Sequence, residues 1–125
     1  MSKTKKSKLE NSPVIPGLKS KEDIVINWLP RYTGRPLEEF GEYILLTNFS
    51  NYVKIFSEMN DHAPILGLDK PMQTCTAGGI TIINFGMGSP MAATIMDLLS
   101  AIKPKAVLFL GKAGGLKKNN NIGDL

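Results

Sequence analysis

Residues 79–116, GITIINFGMGSPMAATIMDLLSAIKPKAVLFLGKAGGL, decide the fold. Residues 80–85 (ITIINF) are a β-branched apolar run, the pattern of a strand buried on both faces. Gly86-Met87-Gly88 turn the chain, and Ser89-Pro90 supply an N-cap and a first-turn proline. Ala92, Ile95, Met96 and Leu99 fall at i, i+3, i+4 and i+7, which predicts one apolar helical stripe. Lys103-Pro104 end that helix, and residues 106–110 (AVLFL) read as a second buried strand. It empties into Gly111-Lys112-Ala113-Gly114-Gly115.

A strand–helix–strand of this length predicts a right-handed parallel crossover. Both glycine turns then leave the carboxyl ends of parallel strands, on the sheet edge where open α/β folds bind ligands. Neighbouring strands about 5 Å apart would let amides of both turns converge on one small molecule. Glycines between strand and helix also serve structure alone, so the turns by themselves leave both uses open.

Composition narrows the class. The 125 residues are enough for one small domain, and 42% hydrophobic with 21% charged residues is ordinary for a globular protein. The net charge of +4 is concentrated at Lys3, Lys5, Lys6 and Lys8, and the remainder is nearly balanced. Nucleic-acid binding is therefore not expected. Residues 1–18 read as a disordered basic tail and linker, and residues 19–125 as the N-terminal portion of an α/β domain. The tail lacks the apolar core of a signal peptide, and no run reaches membrane-spanning length. A single cysteine, Cys75, excludes an internal disulfide framework and fits a reducing cytoplasm.

Ser20-Lys21-Glu22-Asp23 resembles a capping box ahead of a short helix carrying Ile24, Val25, Trp28 and Leu29 and ending before Pro30. In RYTGRPLEEFG, Pro36 opens and Gly41 closes one helical turn. Arg31 and Arg35 around Gly34 suit either bidentate anion binding or a solvated surface loop. Residues 43–47 (YILLT) form another strand ending at Asn48. Ser50 is expected to cap a helix with Tyr52, Ile55, Phe56 and Met59 as its stripe. The lone His62 lies in a break, and a solitary imidazole lacks partners for metal binding or a triad. Residues 64–76 and 79–85 read as an antiparallel pair around Ala77-Gly78-Gly79, with Cys75 a small apolar filler. Ile122-Gly123-Asp124-Leu125 reads as the start of a further strand, so the sheet is expected to be unfinished, with an uncovered edge.

Two phosphate motifs are rejected. The dinucleotide fingerprint requires Gly or Ala where Met91 stands. A Walker motif requires Gly at position 106 and Ser or Thr at 113, and both are alanine. With Asn48 at a third strand end, the pattern still predicts a ligand cleft in which Asn48, Met87 and Lys112 meet.

The order YILLTNFSNYVKIF, GGITIINFGMGSP and VLFLGKAGGL…NIGDL resembles the nucleoside phosphorylase/nucleosidase superfamily from about Trp28 to Leu125. RYTGRPLEEFGEYILLTNFSNYV looks most like its AMP-hydrolysing family. The resemblance implies a three-layer α/β, phosphorylase/hydrolase-like fold with a mixed central sheet, assembling as a hexamer. It implies AMP as substrate, adenine and ribose 5-phosphate as products, and a place in cytoplasmic purine salvage. Gly86, Met87 and Gly88 match the turn beside the ribose and nucleophile. Lys112, Ala113 and Gly114 match the turn lining ribose and base, and Asn48 and Tyr52 match positions that hold phosphate in the phosphorylases.

Phosphorylases of the superfamily ligate inorganic phosphate with a glycine and an arginine of the first turn, and an arginine and a serine around the last. Asn48, Tyr52, Phe109 and Lys112 stand at the matching places, so charge-assisted phosphate bonds are lost and water is favoured as nucleophile. Arg31, Arg35 and Lys112 are then available to the 5′-phosphate of a nucleotide. The family's catalytic aspartate and its Met-Glu ribose clamp have no counterparts here, so the 125 residues alone are expected to be inactive. A purine nucleoside phosphorylase, another purine nucleosidase or a non-catalytic nucleotide-binding module remain the alternatives.

Overall fold

The computed structural model describes residues 17–125; residues 1–16, most of the expected tail, lie outside the described residues. Helix α1 spans Lys21–Thr33, strand β1 Tyr43–Thr47, helix α2 Ser50–Met59, β2 Ile65–Leu66, β3 Gln73–Ala77, β4 Ile80–Asn84, α3 Ser89–Leu98 and β5 Ala106–Leu110. The strands form one mixed sheet in the order β2-β3-β4-β1-β5. β1 is parallel to both β4 and β5, whereas β3 is antiparallel to β2 and β4. β4 and β5 are thus parallel but not neighbours, because β1 lies between them.

Apolar runs make this a three-layer structure. Ile44, Leu46 and Ile83 pack with Val25 and Leu29 of α1 and Ile95 and Leu98 of α3 on one face. Ile82 and Cys75 pack with Val53 of α2 on the other, joined by the half-buried Leu45. Alternation along strands whose two faces are both covered explains why β1 and β4 read as unbroken hydrophobic runs. An exposed Lys21–Asp97 ion pair at 3.0 Å also links α1 to α3, adding at most about 1 kcal/mol.

Several local expectations are corrected. α1 does not stop at Pro30 but runs through it to Thr33, closed by Gly34 in the left-handed conformation. Leu29 and Thr33 on either side of the proline are both fully buried, and the Thr33 hydroxyl donates to the Leu29 carbonyl at 2.7 Å. Tertiary packing therefore holds the last turn against the missing amide. Ile24 and Trp28 are on the outer face, where Trp28 stacks on Tyr32 with centroids 5.9 Å apart. The Ser20 capping box is present as read.

α2 is rotated relative to the expected stripe: Val53 and Ser57 are buried, Tyr52 and Phe56 are half-buried, and Ile55 and Met59 are exposed. Its inward face includes a serine because the Ser57 hydroxyl donates to the Ala63 carbonyl at 2.6 Å, fastening the link into β2. Phe49, not Ser50, occupies the N-cap of α2, and Gly88, not Ser89, that of α3. On α3 the core face is Ile95 and Leu98, continued by Leu99 just beyond the helix, while Met96 is 51% exposed. The single strand expected over 64–76 is broken into β2 and β3, with β2 paired back on β3 so that Ile65 faces Cys75. Residues 122–125 form no strand.

β5 is an edge strand among the described residues, and its Leu108 and Phe109 are 62% and 57% exposed. Cys75 is wholly inaccessible, its thiol donating to the Ala63 carbonyl at 3.5 Å. Burial pushes the thiol up from its ordinary value, outweighing the opposing influence of the Arg35 guanidinium and the Ser57 hydroxyl. Iodoacetamide at neutral pH is therefore expected to label Cys75 only as the protein unfolds. Rapid labelling in the native state would contradict this packing of α2 on β3.

Candidate functional site

The site follows from strand register. Asn84, Thr47 and Leu110 lie side by side across β4, β1 and β5. Because these strands are parallel, their exits Phe85–Gly88, Asn48–Phe49 and Gly111–Lys112 leave from one edge. The edge is tied by local bonds. The Phe85 amide donates to the Thr47 carbonyl at 3.1 Å, and the Gly86 amide donates to Asn84 Oδ1 at 3.1 Å. Gly86 and Gly88 have φ of 86° and 90°, a region an L side chain rarely occupies, so the sharp entry into α3 needs both glycines.

Two clefts open here rather than one. The first, about 430 Å³, lies between α3 and β5 and is walled by Leu46, Phe85, Val107 and Phe109, with Asn48 and Ser89 as its polar groups. Phe85 and Phe109 meet with centroids 6.0 Å apart. Asn48 Oδ1 is buried with no hydrogen-bond partner among the described residues. Such an orphan costs about 1–3 kcal/mol. The torsion of an amide plane is soft, and a donor entering this cleft gives the oxygen a partner.

The second cleft, about 580 Å³, is lined by Tyr52, Gly111, Lys112 and Ala113 together with residues of the segment 115–125. At its wall the Lys112 ammonium stands 4.7 Å from the Phe49 ring centroid and 5.6 Å from that of Tyr52. The two rings are themselves 5.3 Å apart and tilted by 57°. An ammonium over an aromatic face gains about 0.5–1 kcal/mol at an exposed site.

The residues singled out from sequence are distributed as follows. Asn48 and Gly88 line the first cleft, and Tyr52, Lys112 and Ala113 the second. Gly86 shapes the turn between β4 and α3. Met87 is 82% exposed and lines neither cleft, so Asn48, Met87 and Lys112 do not meet around a single cavity. Gly114 is exposed and lines neither. Arg31 is exposed on α1. Arg35 is only 5% exposed; its Nε donates to Thr74 Oγ1 at 2.8 Å and its Nη1 to Glu39 Oε2 at 3.4 Å. Burial lowers its pKa from the ordinary arginine value, partly offset by Glu39 and the Cys75 thiol. Its guanidinium is engaged in holding the segment after α1 to β3.

Phe49, Phe85 and Ser89 as a cleft residue are not evident from the sequence, and Phe109 is evident only as the place where a phosphate ligand is lost. An aromatic residue beside a strand end reads first as core, and only the position of Phe49 next to Asn48 hinted at more.

With this geometry in place, the chain belongs to the phosphorylase superfamily, whose family pattern it matches over residues 43–125. Its relatives are narrower in kind. It is 61% identical to AMP nucleosidase from Bacteroides thetaiotaomicron VPI-5482, whose crystal structure superposes with a TM-score of 0.75 over 78% of this chain and 42% of that one. AMP nucleosidase of Escherichia coli strain K12 is 29% identical over 82% of this chain and 28% of its own length, as is that of strain O157:H7. The chain thus spans less than half the length of these relatives.

The two arginines near Gly34 can be told apart. Arg35→Ala removes a buried side chain and its bond to Thr74, and is expected to cost about 2–4 kcal/mol. Arg31→Ala is expected to stay within about 0.5 kcal/mol of the parent. Urea denaturation measures both, and equal effects would contradict the structural assignment of Arg35.

Proposed function

We propose that this chain supplies the nucleotide-anchoring part of an enzyme that hydrolyses AMP to adenine and ribose 5-phosphate. The observation that carries this reading is the charge at the carboxyl edge. Lys112 and Lys117 line the second cleft there, with Asp124 as its carboxylate, while no arginine lines either edge cleft among the described residues. Ammonium groups act as compact point charges and suit a phosphate monoester such as the 5′-phosphate of a nucleotide, with Lys112 the one braced by aromatic rings. Phe109 stands where, by the family resemblance, the phosphorylases carry an arginine, and a phenyl ring supplies no charge-assisted bond to inorganic phosphate. The names of the relatives support the same substrate.

Hydrolysis of the glycosidic bond needs a stabilised oxocarbenium-like ribose, an acid for the departing adenine and a positioned water. In this reading Lys112 and Tyr52 hold the phosphate end, and Gly86, Gly88, Ala113 and Gly114 let the backbone approach the ribose closely. Asn48 offers an acceptor in the first cleft, and Met87 and Arg31 contribute from the rim or through a neighbouring subunit. Glu42, ahead of β1 at the opposite edge, pairs with Lys105 at 2.8 Å, and Asp97, at the far end of α3, pairs with Lys21; Asp124 is the carboxylate that lines the second cleft. By the family resemblance the acid is an aspartate with no counterpart in these 125 residues, and in this reading the isolated chain leaves AMP intact. A hexameric assembly, residence in the cytoplasm and a role in purine salvage belong to the same proposal and rest on the family resemblance.

Chromatographic assay of the full-length gene product tests the reaction. AMP is expected to yield adenine and ribose 5-phosphate without added phosphate, faster than adenosine is cleaved. A requirement for inorganic phosphate, with a sugar 1-phosphate as product, would make the protein a phosphorylase instead. Tight binding of AMP without turnover would make it a binding module.

A further inference from the structure

Phe49 stands at the N-cap of α2 and is placed by the backbone on both sides. Its amide donates to Thr47 Oγ1 at 3.1 Å, and its carbonyl accepts from the Tyr52 amide at 3.1 Å. The Phe49 backbone is therefore fixed relative to the end of β1 and its ring lies 5.3 Å from that of Tyr52, while the chain of Lys112 comes from beyond β5. The ammonium reaches across to the Phe49 face at 4.7 Å. A lysine side chain loses up to about 2 kcal/mol of rotamer freedom when it is ordered, so an unrestrained Lys112 would be a weak anchor for an anion.

The chemistry of the brace matters. A carboxylate partner would hold the ammonium equally well but would neutralise it. A ring face attracts the cation without supplying a counter-charge, and among the described residues Lys112 makes no salt bridge. The positive charge stays available to a ligand in the second cleft.

We propose that Phe49 is a positioning and specificity-determining residue: its ring, with Tyr52 beside it, holds the Lys112 ammonium where the phosphate of a phosphorylated sugar docks. This rests on the nucleotide reading given above. Phe49 does not touch the reacting atoms; it acts through Lys112 and favours phosphorylated over unphosphorylated ligands.

Calorimetric titration of the full-length protein with ribose 5-phosphate and, separately, with adenine tests the proposal without relying on turnover. Phe49→Leu keeps an apolar side chain of similar size but removes the ring face. It is expected to weaken ribose 5-phosphate roughly two- to tenfold while adenine binds as before. Phe49→Trp, with the stronger quadrupole, is expected to restore the affinity. Lys112→Met is expected to weaken ribose 5-phosphate more than Phe49→Leu does. Unchanged affinity in Phe49→Leu, or equal loss for both ligands, overturns the proposal. Lys112→Met binding ribose 5-phosphate like the parent overturns it as well, and locates the failure in the substrate reading rather than in the ring.

Discussion

The structure depends on the position of β1 between β4 and β5, parallel to both. Register at Thr47, Asn84 and Leu110 puts the three strand ends level. Asn48, Phe49, Gly86, Gly88 and Lys112 all follow within four residues of that line. Residues as far apart along the chain as Asn48 and Lys112 become neighbours of one edge because a central strand is hydrogen-bonded on both sides. The helices covering the two faces secure the position: a slip of β1 by one residue would turn Leu45 toward α1 and α3, and Ile44 and Leu46 toward α2.

The cations divide their labour. Arg35, with its planar fork, is buried and joins the segment after α1 to β3 through Thr74. Lys112, with a flexible stem and a compact charge, is at the open edge over an aromatic face. A guanidinium satisfies several fixed acceptors at once and tolerates burial better, whereas an ammonium braced by rings stays free to meet an incoming anion. The edge combines a lysine braced by aromatic rings with a second cleft that Lys117 and Asp124 also line.

Much of the fold was legible in the sequence because local chemistry and tertiary packing agree. ITIINF and AVLFL are strands, GMGSP turns into a helix, and Ser20 with Asp23 caps one. Helix faces were read less well. In α2 the hydrophobic residues Ile55 and Met59 point outward, while Val53 and Ser57 face inward, the serine bonded to the Ala63 carbonyl. Pro30 stopped the predicted helix but not the real one, since burial of Leu29 and Thr33 outweighs a missing hydrogen bond. At the site, periodicity located the glycine turns but could not show that β1 separates β4 from β5. The first cleft touches β1, β5 and the exit of β4, the second touches Tyr52 and the chain after β5, and Met87 lines neither. Phe49 was invisible for a similar reason: its role depends on a lysine more than sixty residues away in the chain.

The central claim is that the edge formed by β1 and β5 receives the phosphate of a nucleotide at Lys112. A crystal structure of the full-length protein soaked with ribose 5-phosphate tests it most directly. The phosphate is expected within hydrogen-bond distance of Lys112 Nζ, on the side of the ammonium away from Phe49. A phosphate seated at Arg31, or at the Gly86–Gly88 turn with Lys112 unengaged, would contradict the account.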